Sequence, residues 1–171
     1  MSAGRYRIRA AERKDASLIL ALITELADYE KLGDQVSATE EKLVASLFAE
    51  PVFAEVLIAE AVADDGAMDA AGFALYFHNY STFLGQPGIF LEDLFVRKRF
   101  RGHGIGIGLL RELAKKTIAG NCGRLDWMVL DWNEPAIGFY HSIGARRVDG
   151  FVPYRLTGEA LQKLAESGQD G

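Results

Sequence analysis

The chain has 171 residues, 49% apolar and 25% charged, enough to bury one core unaided and too ordered in composition for a disordered or collagen-like chain. Its one cysteine, Cys122, excludes an intramolecular disulfide framework and favours a reducing compartment, so a cytoplasmic location is expected. A net charge of −5 argues against a broad nucleic-acid footprint, no stretch approaches the roughly 20 apolar residues of a membrane span, and Arg5, Arg7 and Arg9 are not followed by the apolar run of a signal peptide.

Alternation of apolar and charged residues predicts a strand over Tyr6 to Arg9. Asp15 is a candidate N-cap for a helix carrying Leu18, Ile19, Leu22, Ile23 and Leu26, with Gly33 beyond its end. Ser37 and Glu40 have capping-box spacing ahead of a second helix, which Pro51 closes. Strands are predicted over Val56 to Val62 and Gly72 to Phe77, joined by a turn at Asp64 to Asp69. Ser81 to Gly88 reads as a loop, and Ile89 to Val96 as the next strand. A glycine-rich stretch, Arg101 to Gly106, leads into an amphipathic helix that stops at Gly120 to Gly123. Leu125 to Leu130 reads as a strand and Asn133 to Ile143 as a short helix with Pro135 near its start. Two further strands, Ala145 to Val148 and Val152 to Leu156, precede a helix from Gly158 to Ala165, and Ser167 to Gly171 is expected to fray. Strands and helices in this order make an α+β (α/β mixed) fold with a mixed sheet. With no linker long enough to divide it, the chain reads as a single domain over residues 1–171, its core about 6–165.

Between a strand and a helix, Arg101-Gly102-His103-Gly104-Ile105-Gly106-Ile107 can present several backbone N–H groups to a phosphate. Ile105-Gly106-Ile107 lacks the Gly-Lys-Ser/Thr of a P-loop, and Ile107 stands where a dinucleotide fingerprint needs its third glycine. Glu92 interrupts an apolar strand, which is costly unless it faces water or a site. Asp93 points to the opposite face unless a bulge intervenes. His78, His103 and His141 lack metal-ligand spacing, so no metal is expected.

Arg101, Gly104 and Gly106 form the pattern R-x-x-G-x-G after the strand Phe90 to Val96. Asn133, Pro135, Ala136 and Phe139-Tyr140 follow the next strand, ahead of Gly144-Ala145. Together these resemble the GNAT acetyltransferases. Leu26 to Leu32, Asp34-Gln35-Val36, Leu91-Glu92-Asp93 and Leu130 to Asn133 narrow the resemblance to the spermidine/spermine (diamine) and thialysine N-acetyltransferases.

The resemblance implies a central twisted, mostly antiparallel mixed sheet flanked by helices, with acetyl-CoA in a cleft between splayed parallel strands. It implies transfer of an acetyl group to a primary amine of a small molecule by direct attack. Glu92 is the implied base through a water, and Tyr140 the implied acid. Leu94, Phe95 and Val96 would pair with the pantetheine arm. Residues Arg101, Gly102, His103, Gly104, Ile105, Gly106 and Ile107 would hold the pyrophosphate, with His103 either a phosphate contact or a spacer. Asn133, Pro135, Ala136 and Tyr140 complete the cofactor contacts. Tyr29, Glu30, Ser81, Glu92 and Asp93 are the implied amine-binding residues, and a homodimer is implied as well. Ser81 stands where the polyamine enzymes carry an acidic residue, and Phe151 where the family often has Trp, which leaves the amine open between a lysine-like amino acid and a polyamine. The competing readings are an acetyltransferase for an aminoglycoside or peptide amine, and a non-catalytic acyl-CoA-binding module.

Overall fold

A computed structural model describes residues 6–167. The order is β1 (Tyr6–Ala10), α1 (Ala16–Tyr29), α2 (Glu40–Leu47), β2 (Glu55–Val62), β3 (Met68–Ser81), β4 (Gln86–Val96), α3 (Ile105–Ala119), β5 (Leu125–Trp127), α4 (Glu134–Ser142) and α5 (Gly158–Glu166). The chain gathers into two compact units, one up to Met128 and one from Val129.

In the first unit, β1 to β5 lie side by side in chain order, antiparallel from β1 to β4, with β5 parallel to β4. Consecutive residues Val56, Leu57, Ile58 and Ala59 of β2 are all buried, so the sheet is covered on both faces. Ile19, Leu22 and Leu26 of α1 and Leu43 and Leu47 of α2 pack with Val56, Ile58, Phe73 and Phe95 on one face. Leu57 and Ala59 point to the other, where α3 lies on the sheet with Ile105, Leu109 and Leu113 buried. Gly72 lets β4 approach β3: a Cβ there would collide with the Phe95 carbonyl oxygen and crowd the Val96 Cα at 3.0 Å. Gly72→Ala is therefore expected to cost about 1–3 kcal/mol or more, read from urea unfolding, because backbone rather than a side-chain tip must yield.

Several expectations need correction. The Asp15 carboxylate does not cap α1; it accepts from both Arg9 Nη atoms at 2.7 and 3.0 Å and from the Glu12 N–H at 2.7 Å, and that cation holds its pKa below the usual range. The cap of α2 is Thr39, which accepts from the Lys42 N–H at 3.3 Å, and not Ser37, whose carbonyl receives the Lys42 ammonium. The stretch read as a loop at Ser81 to Gly88 is the end of a hairpin, with β3 running to Ser81 and β4 starting at Gln86. The cross-strand partners Ser81 and Gln86 carry β4 through Pro87 and Gly88, and leave only residues 82–85, with Gly85 at φ of 63°, as the turn.

The strand expected to Leu130 stops at Trp127, since β4 pairs with it only over Ile89, Phe90 and Leu91. In the second unit, neither Ala145 to Val148 nor Val152 to Leu156 is a strand. Strand-prone residues need a neighbouring strand, and among the described residues Val148, Phe151, Val152 and Tyr154 stay exposed. Residues 168–171, expected to fray, lie outside the described residues.

Candidate active site

The sheet register produces one irregularity that matters for chemistry. Leu91 faces Tyr76 and Asp93 faces Leu75, so Glu92 is the extra residue of a bulge on β4. Beyond it, Asp93 shares a face with Phe95, two residues on, which packs against α1. Glu30, the C-cap of α1, lies on that side. The result brings three of the expected amine-binding carboxylates together. Burial pushes the Asp93 carboxyl up to about 6, reinforced by the negative charges of Glu92 and then Glu30. Burial raises Glu30 as well. Glu92 itself is exposed.

The end of α1 is fixed beside β3 and β4 by Arg97. Its guanidinium donates to the Glu25 carboxylate at 2.6 and 2.9 Å and to the Ala70 carbonyl at 2.8 Å. Tyr29 follows Glu25 by one helical turn, on the same side of α1.

The Arg97 N–H donates to the Ala71 carbonyl at 2.8 Å, on β3. The carbonyl of Val96, in the same peptide, therefore points the opposite way, to the other edge of β4. By the alternation of an antiparallel pair, Leu94 also turns its N–H and C=O to that edge. Among the described residues of this unit no strand pairs there beyond Leu91. Leu94 and Val96 thus turn their peptide groups to an edge without a strand partner, where the Val96 carbonyl accepts from Arg101 Nε and an extended ligand bearing amides can add on.

After Val96 the chain makes a short 3-10 turn, Lys98–Phe100, anchored by buried Phe100. Gly102 and Gly104 both take φ of 80°, a conformation that side chains resist, and no atom within 4 Å would meet a Cβ at Gly102. The Tyr6 hydroxyl donates to the Gly104 carbonyl at 3.3 Å, and the Gly108 N–H to the same oxygen at 2.9 Å. With that carbonyl turned back, the N–H groups of Ile105, Gly106 and Ile107 open α3 without helical acceptors of their own, at its positive end. His103 turns back on the loop, its Nδ1 3.4 Å from the Phe100 carbonyl. Open peptide edge, open glycine turn and helix start fit an acyl-CoA: amide-bearing arm first, then pyrophosphate.

Ser81 takes no part in this cluster within one chain. It is buried at the far end of β3, about 20 Å along the strand from the partner of Asp93, and its hydroxyl accepts from the Leu84 N–H at 3.3 Å.

In the second unit, Asn133 is buried and its Oδ1 caps α4 by accepting from the Ala136 N–H at 3.3 Å, with Pro135 in the first turn. Phe139 and Tyr140 have ring centroids 5.5 Å apart, and Gly144 with φ of 88° ends the helix. Sequence reasoning missed Tyr6 and Arg97. Each acts across long separations, and neither lies in a motif.

Residues 23–145 match the acetyltransferase (GNAT) family. The chain belongs to the GNAT acetyltransferase family. It is an acyl-CoA-dependent N-acetyltransferase. This GNAT chain is 40% identical over 164 residues to the thialysine N-epsilon-acetyltransferase of Bos taurus, covering 92% of this chain and 96% of that one. It is 32% identical to the L-ornithine N5-acetyltransferase of Arabidopsis thaliana, covering 92% and 87%. Among solved structures, it superposes on an integron cassette protein from the mobile metagenome of V. cholerae with a TM-score of 0.77, 32% identity, and coverage of 95% and 99%. Among the described residues of the GNAT chain, no group of three or more His, Cys, Asp or Glu could hold a metal ion, and no helix is long and apolar enough to cross a membrane.

Proposed function

We propose that this enzyme acetylates the side-chain amine of a lysine- or ornithine-like amino acid from acetyl-CoA. The observation that carries the amine reading is the gathering of Glu30, Glu92 and Asp93 beside the free edge of β4. An ammonium group would relieve the mutual repulsion of these carboxylates. The relatives named for thialysine and ornithine support an amino-acid substrate.

In the proposed reaction the neutral amine nitrogen attacks the thioester carbonyl, the C–N bond forms, and the C–S bond breaks. The Leu94 N–H stabilises the developing oxyanion. Glu92 takes the ammonium proton through a water. Tyr140, at the family's tyrosine position, gives its proton to the departing sulfur. The products are the amide and the thiol of CoA. Asp93, Glu30 and Tyr29 hold the amine. Leu94, Phe95, Val96, Arg101 to Ile107, and Asn133, Pro135 and Ala136 hold acetyl-CoA. The two units are read as one catalytic domain, since the family match runs through Met128 and Val129.

A homodimer is part of the proposal, supported by the exposed apolar run Val148, Phe151, Val152, Tyr154. Sedimentation at about twice the chain mass is its test.

A thiol-release assay with acetyl-CoA against thialysine, lysine, ornithine, putrescine, spermidine, spermine and an aminoglycoside tests the substrate. The expected result is a kcat/KM at least about tenfold higher for the amino acids than for spermidine. A preference for spermidine or the aminoglycoside would overturn the amino-acid reading. Confirmed acetyl-CoA binding with no release on any amine would favour the non-catalytic module.

A further inference from the structure

The side chain of Arg101 does not point along the glycine turn that it opens. Its Nε donates to the Val96 carbonyl at 2.8 Å, on the free edge of β4. The guanidinium carbon lies 4.7 Å from the Tyr29 ring centroid and 5.9 Å from that of Phe95. One cation therefore touches both halves of the site. It occupies a peptide acceptor on the edge offered to acyl-CoA, and it covers the ring of a residue assigned to the amine.

We propose that Arg101 is a latch that couples the two substrate sites, closed over Val96 and Tyr29 in the free enzyme and drawn off by the pyrophosphate of the incoming acyl-CoA. This rests on the acyl-CoA reading of the glycine turn.

The physical argument is a competition for one guanidinium. A ring face and a single carbonyl hold it in the free chain, both at exposed positions where such contacts are weak. A pyrophosphate offers a charged, bidentate partner and wins. Release then frees the Val96 carbonyl for the ligand's amide and uncovers the face of Tyr29. Amine binding is thereby favoured after acyl-CoA has bound, and linkage requires the amine to favour acyl-CoA by the same factor. Tyr29 belongs to α1 and is not among the acyl-CoA contacts, yet it opposes acyl-CoA binding because it holds the latch shut.

That last consequence is a test with an unusual sign. Titration calorimetry would measure the Kd of CoA itself for the wild type, Tyr29→Leu and Tyr29→Phe, with circular dichroism confirming the fold of each. Tyr29→Leu is expected to tighten CoA by about two- to fivefold, and Tyr29→Phe, which keeps the ring, to leave it unchanged. An unchanged or weaker Kd in Tyr29→Leu overturns the latch. A second readout needs no variant at Tyr29. The Arg101 Nε–Hε resonance, assigned by its loss in Arg101→Lys, is expected to be shifted upfield by the ring in the free wild type and to move downfield on adding CoA. A resonance that stays in place while CoA binds also overturns it. A wild type that does not bind CoA at all removes the acyl-CoA reading, and the latch with it.

Discussion

Replacing Tyr140 by phenylalanine is expected to lower kcat by at least about 100-fold while leaving the Kd of acetyl-CoA within about twofold. Without a proton source, sulfur must leave as a free thiolate, and the C–S bond breaks against that cost. Phenylalanine keeps the ring, including its packing beside Phe139 at 5.5 Å, and removes only the hydroxyl. The variant therefore separates acid catalysis from packing. Single-turnover kinetics with saturating acetyl-CoA would measure the chemical step, and calorimetry the affinity. A rate within threefold of wild type would remove Tyr140 from the acid role.

Asp93→Asn is expected to do opposite things to activity and to stability. Folding raises the Asp93 carboxyl from its ordinary 3.8 to about 6, chiefly by burial and then by repulsion from Glu92 and Glu30. The folded value lies above the unfolded one, so folding favours the protonated form. The stability this group supplies is complete below about pH 4 and is lost as pH rises through about 6. A difference of that size corresponds to at most about 3 kcal/mol at neutral pH, less whatever relaxation recovers. Asparagine carries no such cost, so the melting temperature should rise by about 3–8 °C at pH 8 and by little at pH 4.

On the proposed reaction the same charge serves to bind the amine. In the wild type, kcat/KM for the amine should climb with pH through about 6 as Asp93 ionises to receive the ammonium group. In Asp93→Asn that limb should vanish, with KM for the amine raised about 10–100-fold. A pH profile that keeps its limb near 6 in the variant would assign it to another group.

The two predictions differ in how far the sequence could carry them. Tyr140 is singled out only by its place in a motif, whereas the glycine turn shows in the composition because φ near 80° at Gly102 and Gly104 favours glycine. Asp93 was only half legible. Period-two alternation places it opposite Glu92, and only the cross-strand register shows the bulge that seats it beside Glu30. The failures have a common cause, since they lay where a partner decides the outcome. Met128 to Leu130 is as apolar as a strand, but β4 pairs with β5 only as far as Trp127. Ser37 and Thr39 can both cap α2, and the chain's path selects Thr39. The stacking of Arg101 on Tyr29 joins residues 72 positions apart and has no local signal at all.

The stretch of β4 that pairs with no strand among the described residues of its unit also bears on how the chain avoids adding a foreign strand. A bare strand edge inside a mixed sheet invites a foreign strand to add on, the first step of aggregation. This one is short, bent by an extra residue, and marked with two adjacent carboxylates at Glu92 and Asp93. A stranger laid along it would lose register at the bulge and meet negative charge without a counterion. The irregularity that seats Asp93 beside Glu30 thus also guards the edge.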